Sequence, residues 1–161
     1  MRSMNFLTRR LAVVTLALGP GLIAGPLLAE TAKRDFGQEE ANRKLVIEFY
    51  DTVFNKHEVE KGATVLVDSY KQHNPMVPDG KAPFVNYFTG FFKENPQSKA
   101  RIVRSATDGD LVYLHIHSTE NDGDRGRAIV DIFRVTDGKI TEHWDVIQPV
   151  PENAANSNTM F

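Results

Sequence analysis

The hydrophobic period of this chain changes once, near Gln97, and that change limits the folds open to it. Before it, apolar residues recur at helical spacing. Gln38 to Lys56 places Leu45, Val46, Phe49, Tyr50, Val53 and Phe54 three and four apart, which predicts a long amphipathic helix. Glu58 to Val65 reads as a shorter helical piece, and Tyr70 to Pro75 as extended. Pro75, Pro78 and Asp79-Gly80 form a loop. A further helix, from about Ala82 to Glu94, presents Phe84, Tyr87, Phe88, Phe91 and Phe92, a heavy aromatic load for so short an element. After Gln97 alternation takes over. Ala100 to Ala106, Leu111 to Thr119, Arg127 to Thr136 and Ile140 to Gln148 read as four strands, separated by Asp108-Gly109, Asn121-Asp122-Gly123 and Asp137-Gly138. Helices first and an antiparallel meander second predict an α+β domain with its helices on one face of the sheet.

The front of the chain is a different polymer. Met1 to Arg10 is basic, Leu11 to Ala24 is apolar around a Gly19-Pro20-Gly21 breaker, and Gly25-Pro26-Leu27-Leu28-Ala29 follows. This pattern predicts a signal peptide over residues 1–29, and the Arg9-Arg10 pair resembles a twin-arginine signal. The apolar run is too short and too broken for a spanning helix. The expected mature protein is exported, periplasmic or secreted, and free of the membrane once cleaved. Residues 30–37 are a polar lead-in, 38–150 the folded domain and 151–161 an irregular tail. The 161 residues carry 19 Lys and Arg against 21 Asp and Glu, a formal charge of -2. No basic run is present, which argues against a nucleic-acid partner. The chain has no cysteine, so disulfides, thiol nucleophiles and Cys-ligated metals are excluded.

Chemistry must therefore rest on carboxylate and imidazole groups. If Asp137-Gly138 is a two-residue turn, Thr136 faces Lys139, Phe133 faces Glu142 and Asp131 faces Trp144. Ile129, Asp131, Phe133 and Val135 then share a face with Ile140, Glu142, Trp144 and Val146, while His143 and Asp145 fall on the other. An acid among Ile, Phe and Trp is out of place. A desolvated carboxyl favours its neutral form and serves as a proton donor or, once ionised, as a strong base. Its structural alternative is an Asp hydrogen-bonded to a backbone N–H or to the Trp144 indole. His115 and His117 alternate on one face of their strand, and His73 in Gln72-His73-Asn74-Pro75 sits where a Pro fixes a cavity rim. These histidines follow no recognised metal-ligand spacing, and no nucleophile elbow, phosphate loop or dinucleotide fingerprint occurs. Neither a metal nor an organic cofactor is expected.

Three stretches carry a family resemblance. They are Tyr70-Lys71-Gln72-His73-Asn74-Pro75 with Val77-Pro78-Asp79-Gly80; Val130-Asp131-Ile132-Phe133-Arg134-Val135 with Asp137-Gly138-Lys139-Ile140; and Glu142-His143-Trp144-Asp145-Val146-Ile147-Gln148-Pro149. Together they closely resemble the SnoaL-like proteins of the nuclear transport factor 2-like (cystatin-like) superfamily, over nearly all of Gln38 to Phe161. The resemblance implies a cone-shaped α+β domain, a homodimer pairing through the sheet, and polyketide-cyclase-like aldol chemistry by an acid/base Asp without cofactor. On matching residue types it points to His73, His115 or His117, and Asp131 or Asp145, with Asp131 preferred on the hairpin pairing. Export departs from the intracellular setting of polyketide tailoring.

The leading expectation is thus a cofactor-independent enzyme acting on a small apolar carbonyl compound. Asp131 would take a proton, and His73, His115 or His117 would polarise the oxygen. Tyr70, Asn74, Phe88, Phe133, Trp144 and Asp145 would line the conical pocket. The alternatives are an exported protein that binds a hydrophobic or aromatic small molecule without turning it over, and a dimeric accessory domain with a filled core.

Overall fold

The computed structural model describes residues 33–161, and the expected signal peptide lies outside the described residues. Helix α1 (Phe36–Phe54) starts two residues before its apolar pattern does, because a hydrogen bond sets the start. The Asp35 carboxylate accepts from the Gln38 N–H at 3.0 Å and caps the first turn. A short α2 (Val59–Gly62) and a single tight turn lead into β1 (Leu66–Gln72). Helix α3 (Lys81–Glu94) precedes β2 (Lys99–Asp108), β3 (Leu111–Thr119), β4 (Arg127–Thr136) and β5 (Lys139–Pro149). The expected α+β arrangement holds, with three helices packed on the sheet among the described residues.

The sheet order is β1-β5-β4-β3-β2. The expected four-stranded meander is present, and β1 adds a fifth strand that runs parallel to β5, so the sheet is mixed. Alternation did not reveal this strand because only Leu66 and Tyr70 in it are fully buried and its register shifts between Leu66 and Lys71. One sheet face is dry. Val112, Leu114 and Ile116 of β3, Phe133 and Val135 of β4 and Ile140 of β5 pack against Val46, Phe49, Tyr50 and Val53 of α1 and Phe84 of α3. Among the described residues no helix is long and apolar enough to cross a membrane.

One hairpin decides which side chains meet. Asp137 and Gly138 both adopt positive φ, +50° and +70°, as a two-residue turn matching the strand twist requires. Thr136 faces Lys139 as expected, and Val135 faces Ile140. The next pair is Arg134 with Glu142, so Thr141 is an extra residue on β5. Beyond this bulge every pairing is displaced by one: Phe133 faces His143, Ile132 faces Trp144 and Asp131 faces Asp145. This corrects the pairing expected from the turn alone. His143 and Asp145 share the inner face with Asp131, and Glu142 and Trp144 point outward, because a one-residue slip exchanges the faces of a strand.

Two buried or half-buried carboxylates tie the ends of the sheet. Glu39 accepts from Arg34, the Thr107 hydroxyl at 3.0 Å and the Gly109 N–H at 3.3 Å. The Arg34 hydrogen bond outweighs burial and lowers its pKa from 4.5 to about 2. Glu142 is likewise lowered to about 2, first by His73 and then by Arg134. Both folded values lie below the unfolded ones, so this stabilisation is complete above about pH 4.5 and is lost as pH falls toward about 2. Acid unfolding of Glu39→Gln and Glu142→Gln should therefore show a shallower loss of stability over that window than the parent chain. Parallel curves would mean that these contacts do not set the acid limb.

Candidate functional site

Between the aromatic helix α3, the C-terminal half of α1 and the inner face of the sheet lies a cavity of about 490 Å³. That size suits a small organic molecule. Its wall on the helix side is aromatic: Phe49 and Phe54 from α1 meet Phe84, Phe88 and Phe92 from α3 through edge-on and tilted contacts with centroids 5.0 to 6.5 Å apart. The heavy aromatic load of α3 is thus part core and part cavity lining.

A polar cluster sits at the sheet side. Asp131 and His143 are each more than nine-tenths buried. His143 Nε2 lies 3.2 Å from Asp131 Oδ1, and its Nδ1 lies 2.8 Å from Gln72 Oε1. That Gln72 contact assigns the proton to Nδ1, because an amide oxygen only accepts; Nε2 is left to share a proton with Asp131. Phe133 and Tyr70 flank the imidazole, with ring centroids 4.7 Å and 6.4 Å away. The neighbouring acid is held differently. Asn74 Oδ1 accepts from the Met76 N–H at 2.9 Å, which fixes the amide orientation, so its Nδ2 donates to Asp145 Oδ2 at 2.7 Å. Asp145 therefore accepts at that oxygen and leaves the other free of it.

The two acids occupy paired positions, and among the described residues neither has a Lys or Arg within salt-bridge distance. Asp131, His143 and Asp145 offer ligand atoms that all lie within 4.8 Å of one another, so these three could hold a metal ion. Two hydroxyls complete the neighbourhood. Burial, reinforced by the charge of Asp131, pushes the pKa of both Tyr50 and Tyr70 well above the usual tyrosine value. Both remain donors across the working pH range.

Of the residues expected from sequence, Asp131, Tyr70, Asn74, Phe88, Phe133 and Asp145 line this cavity. The other candidates lie elsewhere. His73 points to the outer face, where its Nε2 is 2.7 Å from Glu142 and its ring stacks on Trp144 at 4.6 Å; Trp144 is outside the cavity with it. His73 follows Gln72 on an extended segment, so one of the two must face out. His115 and His117 are also on the outer face, because Val112, Leu114 and Ile116 between them fill the core. His115 Nδ1 lies 2.8 Å from Arg104, and His117 stacks under Phe161 at 4.1 Å. Sequence reasoning missed Gln72 and Tyr50 and set His143 on the wrong face. Tyr50 was legible only as one of the apolar stripe of α1. The other two depended on the bulge and on the parallel β1.

Comparison with known proteins agrees with this architecture. The family model of the SnoaL-like domain matches residues 46–143. No curated protein matches. Among solved structures, the chain is similar to a proposed ketosteroid isomerase from Kribbella flavida, 20% identical over 74% of this chain and 86% of that one, with a TM-score of 0.57. It is similar to a proposed SnoaL-like polyketide cyclase from a Jannaschia species, 14% identical over 71% and 90% of the two chains, with a TM-score of 0.59. It is also similar to a proposed hydroxylase from Streptomyces galilaeus, 21% identical over 68% and 90%, with a TM-score of 0.57. At these identities the likeness is one of fold.

Proposed function

Since the chain belongs to the SnoaL-like domain family, we propose that it is a cofactor-independent acid/base enzyme, enolising a small apolar carbonyl compound as in an aldol-type reaction. The observation that carries this reading is the Asp131 to His143 contact of 3.2 Å inside an aromatic cavity. A carboxyl group and an imidazole sharing one proton can remove a proton next to a carbonyl and return it elsewhere. Asp131 takes the proton from carbon. His143, oriented through Gln72, stabilises the charge left on the pair, and the hydroxyl of Tyr50 is a donor beside it. Asp145, held by Asn74, is the second carboxyl group beside the pair. The family's proposed cyclases and isomerases are consistent with such chemistry. In keeping with its acid-free N-terminal segment, the protein is placed outside the cytoplasm in this proposal, and its outward sheet face pairs two copies.

The test is deuterium uptake into β-tetralone, α-tetralone and decalone in heavy water, followed by NMR. The expected outcome is uptake well above the buffer rate, with a large loss in His143→Gln. Gln72→Leu, which frees the imidazole to rotate, should lower the rate by less than removal of His143 and should alter its pH profile. Uptake at the buffer rate for all three ketones, with the ketones nevertheless bound, would replace the enzyme reading by that of an exported binding protein.

A further inference from the structure

The polar cluster has an unbalanced charge. Asp131 and Asp145 face each other across β4 and β5, Asp131 being 5% exposed, and among the described residues the only basic group in salt-bridge contact with either is the His143 imidazole. Elsewhere in this protein the strongly held carboxylates have a guanidinium: Glu39 has Arg34, and Glu142 has Arg134. Two neighbouring carboxyl groups without such a partner can take a proton or a cation between them. A proton shared by Asp131 and His143 serves the acid/base chemistry. The donor chemistry and its supports fit a cation as well.

We propose that Asp131, His143 and Asp145 form a binding site for a first-row divalent cation of the manganese(II) or zinc(II) kind. It is a second occupancy of the cluster, a cation in place of the shared proton and outside the cofactor-independent reaction, and it rests on the reading of this cluster as the reactive end of the cavity. Two carboxylate oxygens and one imidazole nitrogen are a mixed hard and borderline set, which suits these metals better than calcium or magnesium. The geometry is close to closure. Ligands about a small divalent ion stand roughly 3.0 to 3.4 Å apart. The Nε2 to Oδ1 separation of His143 and Asp131 is 3.2 Å. All three ligand atoms lie within 4.8 Å of one another, so a cation would draw the Asp145 oxygen closer to the other two.

The outer contacts are those that metal ligands usually have. Gln72 Oε1 accepts from Nδ1 of His143 and so presents Nε2 with its lone pair toward the acids. Asn74 holds Oδ2 of Asp145 and leaves the other oxygen free. Both supports come from β1 and the residues directly after it, whereas the ligands come from β4 and β5, so the site draws on three segments that only the folded sheet unites. All three residues line the cavity, so a cation held on them borders whatever the cavity takes up.

The experiment reads binding apart from turnover. The full mature chain is stripped with a chelator, and its melting temperature is followed against manganese(II), zinc(II) and magnesium(II) chloride. A ligand at about 100 times its Kd favours the folded state about 100-fold. The expected result is a saturable rise with manganese(II) or zinc(II), a much smaller one with magnesium(II), and loss of the rise in Asp145→Asn and His143→Gln. The outer-face variants His115→Gln and His117→Gln should keep it, and manganese(II) electron resonance should report one bound ion per chain. No rise with any of the three salts, or a rise that survives in both inner-face variants, would overturn the site. Deuterium uptake by the stripped protein is measured alongside. Uptake without metal binding would sink this inference alone, and metal binding without uptake would sink only the proton-transfer reading.

Discussion

Asp131→Asn is expected to lower ketone deuterium uptake by about 10²- to 10⁴-fold, the usual worth of a positioned general base, while the chain stays folded. Asn has nearly the shape of Asp and still hydrogen-bonds to His143, so the cavity and the sheet pairing are retained. What it lacks is the ability to take a proton from carbon. The contrast with Asp145→Asn makes the test specific. Asp145 already spends one oxygen on Asn74 and is not the group assigned to take the proton, so its replacement should cost less than that of Asp131. A parent-like rate in Asp131→Asn, with uptake lost instead in Asp145→Asn, would exchange the roles of the two acids.

The largest expected loss of stability follows from Phe49→Ala. Phe49 is 2% exposed and is the ring through which α1, α3 and the sheet meet: it touches Phe54 at 6.3 Å, Phe84 at 5.9 Å and Phe133 at 5.8 Å between centroids. Removing a buried Phe costs about 3–5 kcal/mol, through lost transfer free energy and the void left behind. A domain of this size has about 5–15 kcal/mol in all. The variant should therefore melt well below the parent, and in chemical denaturation its midpoint should fall with little change in slope. Phe91→Ala offers the comparison. Both rings border the cavity, but Phe91 is only partly buried against the core, so its removal takes less apolar surface out of the interior and should cost clearly less. Equal losses in the two variants would mean that the cavity wall and the core are one packing unit.

Much of the architecture was legible in the order of residues because it depends on local periodicity. The three- and four-residue spacing of Val46, Phe49, Tyr50 and Val53 specifies a helix with one dry face, whatever lies opposite. Alternation in Leu111 to Thr119 and Arg127 to Thr136 specified those two strands to the residue. The Asp137-Gly138 turn was legible for the same reason: positive φ at both positions is a demand that few dipeptides meet. Strand β1 was less so, since a parallel partner is distant in sequence and its side chains show little alternation.

The site was less legible than the fold. An acid in an otherwise apolar strand marked Asp131, although the pairing with Trp144 used to prefer it over Asp145 is not the one the sheet adopts. Its partners were another matter. From the turn alone, Trp144 should stand opposite Asp131 and His143 should point away; the extra residue Thr141 reverses both. A bulge of this kind has no strong residue signature, because it is chosen by the twist of the whole sheet and by what the two faces can bury. His73, the more conspicuous histidine in the chain, is turned outward by the same alternation that brings Gln72 inward. By itself, then, the sequence determined the helices, the meander and the presence of a carboxyl group within the apolar stretch of β4, all of which follow from short-range patterns. Only the tertiary structure decided that His143, Gln72 and Asn74 surround that carboxyl, because a single inserted residue and a parallel pairing between distant segments set which face each side chain takes.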